Sequence, residues 1–135
     1  MSRLPYVLSG LLLSLALAGC SGSSGPDLPE EASFAEGTCR TAAADVRAIG
    51  RALPMLGEDG SVDAEVRVDL RAAHDRLRAL ADGAEADLQP ALTELNEKIG
   101  IVRIRADGNS YEPALGELLT RSYENVVERC TATAG

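Results

Sequence analysis

Arg67, Arg71, His74 and Arg78 recur at spacings of 4, 3 and 4, the repeat that sets side chains on one face of a helix. A row of arginine forks suits carboxylate or phosphate, which each guanidinium can hold through two parallel hydrogen bonds. The stripe runs one residue out of step with the apolar Val66, Leu70, Ala73 and Leu77. It therefore flanks a buried face, where it could equally pair with acids on a neighbouring helix or with Asp63 and Asp75 on its own. Partner contact and bracing of the fold both remain open, and bracing is the simpler. His74 is the only histidine, the side chain most used for proton transfer near neutral pH, but nothing in the pattern supplies it with a nucleophile.

The other candidates are weaker. Asp107-Gly-Asn-Ser-Tyr-Glu112 places oxygen donors at alternating positions, as a calcium loop does, but lacks that loop's glycine at position six and glutamate at position twelve. A turn followed by a helix cap at Asn109 or Ser110 explains it. Glu58, Asp59, Asp63 and Glu65 cluster where a helix begins, and acids there complement the helix dipole. The serines lack a triad context, and no glycine-rich phosphate loop is present. No catalytic residue, metal site or cofactor is expected.

The elements that position these residues are legible from apolar spacing. Cys39, Ala42, Val46, Ile49, Leu53 and Leu56 recur at alternating threes and fours. So do Val66 to Leu80, Leu88 to Val102, and a last series of Leu115, Leu118 or Leu119, Ser122, Val126 and Cys130. Such stripes predict four amphipathic helices over roughly 39–56, 62–81, 88–105 and 111–130. Asp-Gly pairs at 59–60, 82–83 and 107–108 mark the three junctions, with glycine expected in the left-handed conformation. Pro90 and Pro113 fall in first turns, each with a capping candidate three residues earlier, Asp87 and Ser110. Pro54 should kink or stop the first helix. The period-two alternation at 65–71 and 99–105 would also suit two strands, but helical stripes continue on both sides. Short loops favour an all-α, up-down-up-down four-helix bundle over residues 38–131.

At the N-terminus, Arg3 precedes a largely apolar run from Leu4 to Leu17, which is the build of an export signal; a spanning helix needs about 20 apolar residues. The run closes on Leu17-Ala18-Gly19-Cys20, which resembles the lipobox of bacterial lipoproteins. With twelve arginines to one lysine and abundant alanine, the chain resembles small lipoproteins of high-GC Gram-positive bacteria, a likeness carried by its first 20 residues. The resemblance implies that residues 1–19 are removed, that the Cys20 thiol carries a diacylglyceryl group, and that the new N-terminus is acylated. Residues 20–37 show no apolar period and read as a flexible tether.

Loss of Arg3 leaves twelve basic against twenty-one acidic residues. A surface that acidic disfavours nucleic acid and electrostatic docking on anionic lipid, so attachment would rest on the acyl chains. Beyond residue 20 the only aromatics are Phe34, Tyr111 and Tyr123, too few for a stacking platform. Cys39 and Cys130 remain once Cys20 is acylated, and in an oxidising compartment a remaining pair reads as a disulfide. In the bundle they fall at the same end, and a bridge across 91 residues would contribute about 4–5 kcal/mol in the chain-entropy model. The expected function is a non-enzymatic binding or assembly module on the extracytoplasmic face of the cell membrane, with another envelope protein as partner. The alternative is a ligand or metal carrier, or an enzyme, with a site inside the bundle. Metabolic labelling with a fatty-acid analogue should mark the protein and be lost in Cys20→Ala; label retained in that variant would refute lipidation at this cysteine.

Overall fold

The computed structural model describes residues 28–132. The export segment, Cys20 and the first part of the expected tether lie outside them. Four helices pack in chain order around one core: α1 Thr38–Ala52, α2 Ala64–Asp82, α3 Gln89–Asp107 and α4 Pro113–Thr131. This is the expected all-α four-helix bundle. Segments 65–71 and 99–105 lie within α2 and α3. Their strand-like alternation arises because Val68 and Ile104, 65% and 71% exposed, point to solvent between core positions.

Each helix buries the stripe its spacing dictates. Val46 and Ile49 of α1 meet Leu70 and Leu77 of α2, Leu92, Leu95 and Ile99 of α3, and Leu119 and Val126 of α4 in one cluster. The ambiguity in the last stripe resolves to Leu119, which is fully buried, while Leu118 is 42% exposed. Pro54 acts as expected. It has no N–H to continue the ladder, so α1 ends at Ala52 and tightens into a 3-10 turn at Leu53–Met55.

The helix ends differ from expectation. Among the three Asp-Gly pairs only Gly60 is left-handed, with φ +84°; Gly83 and Gly108 have φ −110° and −90°. At the end of α3 the left-handed residue is Asn109, φ +52°. The Ser110 N–H donates to Arg105 O at 2.8 Å and the Asn109 N–H to Ala106 O at 3.2 Å, the two closing bonds of a Schellman end. Ser110 is thereby committed to ending α3 and does not cap α4. Neither α3 nor α4 has a side-chain cap, although Pro90 and Pro113 do occupy first turns.

Cys39, in the first turn of α1, and Cys130, in the last turn of α4, form a disulfide with Cα atoms 5.3 Å apart. Beside it lies the main correction to the sequence reading. Residues 28–37, expected as tether, form a strap packed along the α1–α4 seam. Phe34 is wholly buried, and the Ala35 N–H donates to Cys130 O at 2.8 Å. Arg40 of α1 holds the strap's backbone, its Nε and Nη2 donating to Phe34 O at 3.1 and 2.9 Å and Nη2 to Ala32 O at 3.2 Å. Further along, Leu28 and the Tyr123 hydroxyl converge over Gly50, where an added Cβ would lie 2.5 Å from each. The α1–α4 seam is the loosest of the bundle, and the strap covers it with the chain's one phenylalanine. Phe34→Ala should therefore destabilise the domain by about 3–4 kcal/mol, as for a buried aromatic, measured by denaturant unfolding. An unchanged midpoint would restore residues 28–37 to the role of tether.

Candidate functional site

The basic stripe of α2 lies along its outer seam with α3, and the structure divides it. Its first half is engaged with the fold. Arg67 Nη1 is 3.5 Å from Asp107 Oδ1 and Arg71 Nη2 is 3.8 Å from Asp107 Oδ2. Asp107 closes α3, where a negative charge opposes the helix dipole, and two arginines from α2 offset that. Asp107 is thus a brace between helices, and the sequence that superficially matches a calcium loop is a helix end.

The second half is arranged differently. His74 is largely covered, its side chain 19% exposed, and lies against α3 at Gly100, where a Cβ would stand 3.2 Å from Nε2. Arg103 Nη1 is 3.2 Å from His74 Nδ1. A guanidinium can only donate, so this contact is a hydrogen bond where Nδ1 accepts. Asp75 Oδ1 lies 3.4 Å from the same Nδ1 and accepts from it where Nδ1 carries the proton. One turn on, Arg78 is exposed and has no ion pair among the described residues.

His74 and Arg78 line one side of a groove of about 350 Å³ between α2 and α3, floored by Ala81. Thr93 and Asn96 line the other side, and Asp82 and Glu97 stand at its rim. Asn96 Oδ1 is buried without a hydrogen-bond partner. The groove thus offers the Arg78 guanidinium beside the His74 ring and the Asp82 carboxylate on the α2 side, and hydroxyl, amide and carboxylate groups on the α3 side. That combination can hold a carboxylate against Arg78 while accepting a donor from the same molecule. A wider cavity of about 440 Å³ at the opposite end of the bundle lies beside Tyr111 and Gly116. Its polar side chains include Glu58, Tyr111, Glu117 and Thr120 but no cation, and the two carboxylates disfavour an anion there.

Sequence reasoning found the α2 half of this groove and missed the α3 half. Asn96, Gly100 and Arg103 stand on a helix read for its apolar face alone. The available signal was Gly100 itself, a residue unfavourable inside a helix and placed where an incoming side chain needs room. Among the described residues no three metal-ligating side chains converge, and no helix is long and apolar enough to cross a membrane. Comparisons with protein-family models, curated proteins and solved structures find no match.

The brace and the groove should separate in a double-mutant cycle. Arg67→Gln and Asp107→Asn should show a coupling of about 0.3–1 kcal/mol that fades at high salt, the range of partly exposed pairs. Arg78→Gln, with no acid to lose, should show no coupling to Asp107→Asn.

Proposed function

We propose that this chain is an extracytoplasmic lipoprotein, tethered to the cell membrane through Cys20, whose bundle is a binding or assembly module of the envelope and carries no enzymatic activity. Its contact surface is the outer α2–α3 groove, and its partner is another envelope protein that presents a carboxylate. The carrying observation is the contrast between engaged and unengaged polar groups. Asp45, the one buried acid among the described residues, receives Arg76 Nε and Nη2, each at 2.7 Å from Oδ1. Ser122 donates to Leu118 O at 3.1 Å. The buried Asp45 carboxylate of α1 and the Ser122 hydroxyl of α4 thus serve the fold, while the Tyr123 hydroxyl and Arg47 Nε lie unpartnered beneath the strap. Arg78 serves no such purpose.

The disulfide supports the compartment, since such bonds persist where the surroundings are oxidising. The pattern at 17–20 supports the anchor. The competing reading, a carrier or enzyme with a site inside the bundle, needs inward Glu or His at helical spacing; the inward stripes of α2 and α3 are apolar.

Arg78→Glu tests the proposal directly. Its unfolding free energy should stay within about 0.5 kcal/mol of the parent, as for an exposed site without partners. In-cell crosslinking from a probe beside the groove should recover its envelope partner about five-fold less, a loss of roughly 1 kcal/mol, with the difference greatest at low salt. Undiminished recovery would remove the groove as the contact surface.

A further inference from the structure

The strap fixes the point at which the upstream chain leaves the bundle. It runs antiparallel to α1, from Ala35 at Cys130, by the disulfide, back to Leu28 at Gly50 and Tyr123. The helices pack in cyclic order, α1 on α2, α2 on α3, α3 on α4 and α4 back on α1. The α1–α4 seam bearing the strap is therefore diagonally opposite the α2–α3 seam bearing the groove. Only residues 21–27 separate Cys20 from Leu28. Covalent geometry limits the distance between those two Cα atoms to about 28 Å.

We propose that the strap orients the tethered bundle, turning the α1–α4 seam toward the lipid surface and the α2–α3 groove away from it. The groove then serves carboxylate-bearing partners in the space beyond the membrane, and lipid headgroups are outside its reach. This rests on anchoring at Cys20.

Four helices about 10 Å across, with axes 8–10 Å apart, make a bundle roughly 20 Å thick. To lay the groove on the membrane, the chain from Leu28 would have to pass round half that girth, about 30 Å or more, which meets or exceeds its reach. The observed placement of the strap removes ten residues, 28–37, from the free length that the sequence suggests. Undocked, those residues would add about 33 Å and every orientation would become accessible. Arg40, which holds two carbonyls of the strap, is therefore an orienting residue.

The test uses the acylated protein purified from membranes and placed in phosphatidylcholine vesicles whose headgroups carry a nitroxide quencher. With Cys20 acylated and the disulfide closed, an introduced cysteine is the only free thiol for a dye. One variant is Glu124→Cys, on the exposed side of α4 beside Tyr123; the other is Glu97→Cys, at the rim of the groove. Quenching at 124 should exceed quenching at 97 at least three-fold, and adding Arg40→Ala should bring the two toward equality with helicity retained. Equal quenching before Arg40 is replaced, stronger quenching at 97, or a difference that Arg40→Ala leaves intact would each overturn the orientation. Absence of acyl mass on Cys20 would overturn it together with the anchor, and that outcome is distinguishable because the protein would not float with the vesicles.

Discussion

A bundle of four helices on one chain is closed only where its first helix meets its last, and here the rest of the structure depends on that seam. The other three seams join helices consecutive in sequence, so a short turn brings each pair together at little entropic cost. The α1–α4 seam joins segments from opposite ends of the domain, and it is the most sparsely packed. Three devices hold it: the Cys39–Cys130 disulfide, the Ala35 N–H to Cys130 O hydrogen bond, and burial of Phe34. All three converge where the chain enters α1 and leaves α4. The disulfide acts on the unfolded chain, by restricting it, while the strap acts on the folded state, by removing apolar surface from water. They are therefore complementary contributions to the same closure.

The strap also carries a cost. The Tyr123 hydroxyl and Arg47 Nε are buried without hydrogen-bond partners along this seam, and each such group typically costs about 1–3 kcal/mol. Burial is also what pushes the Tyr123 phenol above its ordinary range. Glycine at position 50 makes the arrangement possible, since any side chain there would collide with both Leu28 and Tyr123. Phe34 burial thus offsets two unsatisfied polar groups, and the seam is closed with less margin than its apolar contacts suggest. Arg40, binding backbone carbonyls and no side chain, contributes without regard to the strap's own side-chain types.

The helices were legible because their information is periodic, and a stripe of Leu, Ile and Val at threes and fours survives any detail of packing. What escaped is single and aperiodic. Phe34 sits among Gly, Pro, Ser and acids, so no period marks it, and only the depth of the seam decides that it is buried. Asn109, and not Gly108, ends α3 because the choice between adjacent residues is made by which carbonyls remain to be closed. The basic stripe was visible, but its division was not. Whether an arginine braces or stays free depends on the acid opposite, and Asp107 reaches only Arg67 and Arg71. Arg103 and Gly100 shape the setting of His74 from α3, a relation 26 to 29 residues away in sequence and visible only once the helices are paired.

The proposed function divides its work between the two seams. A surface that must recognise a partner loses affinity to every side chain it has to order on binding, so it is best placed where the framework is already fixed. The α2–α3 seam has the closest packing of the bundle, and Asp107 fixes its far end through two arginines. Arg103 stands 3.2 Å from the His74 ring, and Arg78 is the exposed charge beside it. The loosest seam cannot offer such rigidity, because it must admit the incoming chain. In the proposed function, closure and attachment would therefore fall on one side of the bundle and recognition on the other.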